Sequence, residues 1–159
     1  FHPSFAEKKE VILRIPFDVR LVSGDRLIVL GEIGTAKYNL AEAFLGHLNI
    51  LEGRIQYGGR IGYLPQVPFL LRRESIRANV LFGEPLEQAR LDRVYRLVHL
   101  AESIETMTKG DETVLEDIST LLSLSFRQKQ TLARAIYYDP DLYIFDNVID
   151  GVDVESLAA

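Results

Sequence analysis

Eight consecutive residues of this chain, Gly31-Glu32-Ile33-Gly34-Thr35-Ala36-Lys37-Tyr38, have nearly the types and spacing of a phosphate-binding loop. Such a loop runs from a Gly through four residues to Gly-Lys and a Ser or Thr. Its backbone N–H groups curl around phosphate oxygens, its Lys reaches them as a charge, and its hydroxyl ligates Mg²⁺. Gly31 and Lys37 fit that chemistry. Ala36 stands where the second Gly is required and puts a methyl where the backbone approaches its ligand. Tyr38 stands in the hydroxyl place, with a phenol too far from the main chain to replace a Ser. Thr35 and the N–H groups of residues 34–37 still make a shallow anion cradle beside the Lys37 ammonium. Lys37 also has a plainer reading, a surface cation near a helix start, and Tyr38 reads as packing.

A second group of candidates lies far along the chain. The apolar run 142–145 closes on Asp146, which reads as a buried parallel strand with a carboxylate at its carboxyl end, where open α/β sheets bind ligands. Capping a turn there is the other reading of Asp146. Asn147 follows it. Gln66 sits just past another short strand, 61–64, that stops at Pro65.

These residues need elements to hold them. Alternation around Pro16 over 11–19, the turn signal Ser23-Gly24-Asp25 and the apolar run 26–30 predict a small antiparallel β element ahead of the loop. Leu40, Ala41, Phe44, Leu45 and Leu48 recur at helical spacing and predict a helix over 37–48, blemished by Gly46. A short strand is expected over 54–57. Helices are expected over 75–81, with Ser75 as cap, over 86–101 and over 126–138, where Asp139-Pro140 ends the pattern. Residues 106–119 are polar and turn-rich. The fold class that follows is α/β: a P-loop core with a parallel sheet, a small antiparallel β element, and a helical insertion over 67–121.

Bulk composition narrows the function classes. The chain has 159 residues, 47% of them hydrophobic and 26% charged, which suits one globular domain. A net charge of −5 with scattered basic residues gives no field for nucleic acid. With no Cys and three separated histidines, His2, His47 and His99, neither a disulfide framework nor a zinc site is expected. No apolar run is long enough to span a bilayer.

Taken in order, the motifs resemble the nucleotide-binding domain of ATP-binding-cassette (ABC) transporters, in the multidrug-resistance-associated and cystic-fibrosis-channel branch (C subfamily). The likeness is collinear over about 24–155. Its carriers are the loop Gly31 to Tyr38; Leu51-Glu-Gly-Arg-Ile55; Arg60-Ile-Gly-Tyr-Leu-Pro-Gln66 at the Q-loop strand; and Ser75-Ile-Arg-Ala-Asn-Val-Leu-Phe-Gly83 after it. Leu122-Ser-Leu-Ser-Phe126 occupies the signature position, continued by Leu132-Ala-Arg-Ala-Ile136. Asp141-Leu-Tyr-Ile-Phe-Asp146 resembles Walker B, and Asp150-Gly-Val-Asp153 the D-loop.

The resemblance implies a RecA-like P-loop core and ATP, with weakly held Mg²⁺, as ligands. Gly31, Gly34, Thr35, Ala36, Lys37, Tyr38 and Asp146 become nucleotide-binding positions. Asp146 and Gln66 become metal-facing, and Gln66 also reaches the attacking water. Hydrolytic members of the family place Glu where Asn147 stands, and a neutral amide orients water but takes no proton. The family signature runs Leu-Ser-Gly-Gly-Gln. Here Ser123 is retained, Leu124 and Ser125 replace the glycines, and Phe126 replaces the Gln, so apolar bulk enters where phosphate docks. Leu124 and Phe126 also read simply as helix-start packing. Glu116 is a poor match for the glutamate that precedes the signature in exporters.

The resemblance further implies a second nucleotide-binding domain as head-to-tail partner, coupling helices of a transmembrane domain, and a place on the cytosolic face of a membrane. A poor phosphate loop and a poor signature in one domain belong to two different composite sites, so both sites are expected to be compromised and hydrolysis slow or absent. Residues 1–159 are then a partial domain that stops before the family's switch histidine. A structural cassette without nucleotide is the alternative reading.

Overall fold

The computed structural model describes residues 18–31, 37–116 and 122–147. Two compact units divide the chain, Phe1–Gln56 and Tyr57–Ala159.

In the first unit a turn at Val22 is closed by the Asp25 N–H donating to the Val22 carbonyl at 3.0 Å, while Asp25 Oδ2 accepts from the Val22 N–H at 2.9 Å. Gly24 takes φ +91° there, a conformation that explains the Ser-Gly-Asp signal. The strand expected over 26–30 is not formed. No ladder partner meets it among the described residues, and Leu27, Ile28, Val29 and Leu30 all stay exposed. The first half of the expected β element, 11–17, lies outside the described residues. Helix α1, Lys37–Phe44, starts where the spacing predicts and stops early, because Gly46 turns the chain at φ +80°. The strand expected over 54–57 is also absent.

The second unit carries the sheet and the core. Strand β1, Ile61–Leu64, is followed by α2, Ile76–Leu81, whose first turn is capped by Ser75 Oγ accepting from the Ala78 N–H at 3.1 Å. One long helix was expected over 86–101. The chain makes two, α3 over Gln88–Leu97 and α4 over Ala101–Glu105, because His99 adopts φ +54° between them. A 3₁₀ turn at Gly110–Glu112 leads on to α5, Leu124–Tyr138, and β2, Leu142–Phe145.

β1 and β2 pair in parallel, Ile61 against Leu142 through Leu64 against Phe145. Entry to β2 is fixed by a local hook: the Arg60 N–H donates to Asp141 Oδ2 at 2.7 Å, and the Arg60 carbonyl accepts from the N–H groups of Asp141 and Leu142. Gly59, at φ +88°, makes room for it, since a Cβ there would lie 2.0 Å from Asp141 Oδ2. β2 is half-buried instead of buried on both faces. Tyr143 and Phe145 stay partly exposed and stack on each other at 5.9 Å.

The core lies among the helices. Ile76 and Val80 of α2, Leu91, Val94 and Tyr95 of α3, Ile104 of α4, Leu115, and Ala133 and Tyr137 of α5 form one buried cluster. Polar ties reinforce it. Arg77 grips Asp111 with two guanidinium N–H groups, at 2.8 and 3.0 Å, and also meets Glu112. Asp111 Oδ2 accepts from the Tyr95 phenol at 3.2 Å. Hydrogen bonding to Asp111 raises the Arg77 pKa, and burial, then the Asp111 charge, raises that of Tyr95.

Candidate functional site

Lys37 belongs to the first unit, and its ammonium donates to the Gly31 carbonyl at 2.7 Å. The two family-matching residues of the loop therefore bracket it directly. Gly34, Thr35 and Ala36 lie outside the described residues. Tyr38, the second residue of α1, is 55% exposed.

In the second unit, parallel pairing sends two chain segments out of the same end of the sheet. Leu64 and Phe145 are the last register pair, so Pro65-Gln66 and Asp146-Asn147 both leave the carboxyl ends of their strands there. Gln66 is exposed. The Asp146 N–H donates to the Leu64 carbonyl at 2.9 Å, carrying the ladder one residue past the strand. The Tyr63 phenol donates to Asp146 Oδ2 at 3.0 Å. Asn147 then turns the chain at φ +49°, in the left-handed region that Asn tolerates better than most residues. Tyr63 was missed in the sequence, although its place two residues from Ile61 puts both on one side of β1.

The signature segment is the start of α5. Ser123 is its N-cap, with Oγ accepting from the Phe126 N–H at 3.0 Å, so the signature Ser retained here does structural work in this chain. Phe126 packs against the core, as its helix-start reading expects, whereas Leu124 is 49% exposed and does not. Ser123, Ser125, Phe126 and Lys129, together with Thr106 and Lys109, line a cleft of ≈ 780 Å³. Glu116 lies 4.0 Å from Arg73 at an exposed position. The D-loop candidates Asp150 and Asp153 lie outside the described residues.

Sequence reasoning also missed the polar node behind this surface. Asn79 is wholly buried on α2. Its Oδ1 accepts from the Leu71 N–H at 2.7 Å, and its Nδ2 donates to the carbonyls of Leu71 at 2.9 Å and Ser75 at 3.0 Å. Arg134 of α5 reaches the same residue, Nε to the Asn79 carbonyl at 2.7 Å and Nη2 to Oδ1 at 3.2 Å. Its guanidinium also lies 4.5 Å from the centre of the Phe82 ring and 5.8 Å from that of Phe69. Burial lowers the Arg134 pKa. Gln130 adds a bond to the Ile76 carbonyl at 2.7 Å. The loop after Gln66 is thereby tied to the helix that carries Ser123. An Asn among Ile76, Val80 and Leu81 was the available signal, because a polar side chain on an apolar helix face must find partners.

The family model for ABC transporters matches residues 16–150, most of the chain. The chain belongs to the ABC transporter family. It is 35% identical over 145 residues to ABC transporter C family member 13 of Arabidopsis thaliana, covering 91% of this chain and 10% of that protein. It is 34% identical over 150 residues to human ATP-binding cassette sub-family C member 4, covering 94% of this chain and 11% of the relative. ATP-binding cassette transporter abc1 of Schizosaccharomyces pombe is 35% identical over 132 residues, 81% of this chain and 9% of its own. This ABC chain thus spans about a tenth of the length of these relatives. Its α/β architecture and parallel strand pair agree with the P-loop fold of the family. Among the described residues, no helix is long and apolar enough to cross a membrane.

Proposed function

We propose that this chain is the nucleotide-binding domain of a C-subfamily ABC transporter that binds ATP weakly, hydrolyses it little or not at all, and serves in dimerisation and coupling. One observation carries the hydrolytic half: Asn147, a neutral amide, directly follows Asp146 where the chain leaves β2. An amide at that position orients a water through its donor and acceptor and accepts no proton from it.

The residues present suit a metal that arrives with phosphates and not a protein cage. Asp146 and Gln66 are hard oxygen donors at one end of the sheet, and among the described residues no group of three or more acidic or His side chains gathers to hold an ion. Mg²⁺, when bound, neutralises phosphate charge. In the first unit Lys37, whose ammonium donates to the Gly31 carbonyl, is the cation that would meet phosphate oxygens. Gly31, Gly34, Thr35, Ala36 and Tyr38 complete the nucleotide side, without the loop hydroxyl that ligates metal. Ser123 and Ser125 face a second nucleotide-binding domain in a head-to-tail pair, with a transmembrane domain's coupling helices as the other partner, at the cytosolic face of a membrane.

Calorimetric titration with ATP, with Mg²⁺ and with EDTA, tests the reading. It expects weak binding that Lys37→Ala abolishes. Absence of binding at millimolar ATP removes the nucleotide half and leaves a structural cassette, a reading favoured by the use of Ser123 Oγ as a helix cap.

A further inference from the structure

The Asp146 carboxylate is tied at two points. Its backbone N–H is fixed to the Leu64 carbonyl at 2.9 Å, and its Oδ2 accepts the phenol proton of Tyr63 at 3.0 Å. Both partners come from β1, and the parallel register that pairs Tyr63 with Ile144 and Leu64 with Phe145 places them there. The two ties restrain the backbone and the side-chain torsions of Asp146 together. Oδ1 has no hydrogen bond among the described residues. We propose that Tyr63 is a positioning residue of the nucleotide and metal site, holding Asp146 by Oδ2 so that Oδ1 is the oxygen available to a cation or its bound water. This inference rests on the nucleotide-binding reading for its biological purpose, and on geometry alone for its mechanism.

The chemistry suits the role. A phenol O–H is a donor, and it adds no positive charge to compete with a metal. A carboxylate is an acceptor only, so the direction of the bond is fixed. Outer partners of this kind orient a ligating carboxylate, and their loss typically weakens metal affinity by about 10- to 100-fold. Tyr63→Phe removes the phenolic oxygen and keeps the ring, so packing on β1 is preserved.

Tb³⁺, a hard oxygen-seeking ion, is the probe. Its emission is excited directly, so no tyrosine is needed as an antenna. Titrations of the full chain and of its Asp146→Asn variant define the Asp146-dependent affinity. Tyr63→Phe is expected to weaken that affinity about tenfold or more, measured at a temperature where thermal unfolding shows both proteins fully folded. Wild-type Tb³⁺ affinity in Tyr63→Phe overturns the proposal. So does a Tb³⁺ affinity that Asp146→Asn leaves unchanged. If ATP fails to bind while the Tb³⁺ difference holds, the nucleotide reading fails and the role of Tyr63 stands.

Discussion

Replacing Asn79 by Ala removes a wholly buried side chain with four hydrogen bonds: two accepted at Oδ1, from the Leu71 N–H and Arg134 Nη2, and two donated from Nδ2, to the Leu71 and Ser75 carbonyls. A neutral bond contributes ~1 kcal/mol net, a bond to a charged group ~1.5–3 kcal/mol, and a buried group left without a partner costs ~1–3 kcal/mol. The Ser75 carbonyl keeps its bond from the Asn79 N–H, and Arg134 keeps its bond to the Asn79 carbonyl, so neither is fully stranded. The Leu71 carbonyl likewise keeps its bond from the Glu74 N–H at 3.1 Å, so the Leu71 N–H is the group that loses its partner. The expected loss is therefore ~3–5 kcal/mol, a large share of the ~5–15 kcal/mol that holds a typical domain folded. Urea unfolding, with stability extrapolated to water, measures it. Asn79→Leu separates the two sources of the effect, because it restores volume and no polar partner. Both variants are expected to be strongly destabilised, with faster hydrogen exchange at the Leu71 amide. A loss below ~1 kcal/mol in Asn79→Leu would refute the reasoning, because burial alone would then account for the node.

Three other perturbations follow from the same geometry. Gly59→Ala forces φ +88° on a residue with a Cβ and drives that atom to 2.0 Å from Asp141 Oδ2, displacing the bond to the Arg60 N–H; a loss of ~2–4 kcal/mol is expected in thermal or urea unfolding, and an unchanged midpoint contradicts the hook at β2. Ser123→Ala removes the α5 cap and is expected to cost ~1 kcal/mol, measured by urea unfolding, whereas Ser123→Asp, which caps as well, is expected to stay near the parent. For Tyr95, burial and then Asp111 raise the phenol pKa above its ordinary 10.0, so the folded state keeps a proton that the unfolded chain releases. That contribution is complete below about pH 10 and declines as pH rises beyond it, and Tyr95→Phe is expected to flatten the alkaline fall in urea midpoint; equal slopes in both proteins contradict the linkage.

What the sequence revealed was local. β1 and β2 were legible with their ends because short apolar runs bounded by Gly, Pro and Asp carry their own stop signals. Ser75 and the apolar spacing after it likewise announced α2. The failures were tertiary. Residues 26–30 have the composition of a strand, but a strand is made by its neighbour, and none pairs with them among the described residues. Residues 86–101 have unbroken helical periodicity, and a single left-handed residue, His99, still divides them. Gln66, Asp146 and Asn147 were singled out through motif order, and the structure brings both segments to one end of the sheet. Tyr63, Asn79 and Arg134 were not found, because each acts through a partner remote in sequence, for example Tyr63 on Asp146 and Arg134 on Asn79.

ATP turnover by extensively purified chain, measured alongside ATP binding in Mg²⁺ and in EDTA, is the most direct test of the central claim. Weak binding that disappears in Lys37→Ala, with no turnover above a protein-free control and a gain only when Asn147→Glu supplies a base, is the result expected. Turnover by the parent chain that vanishes in Lys37→Ala would contradict the account.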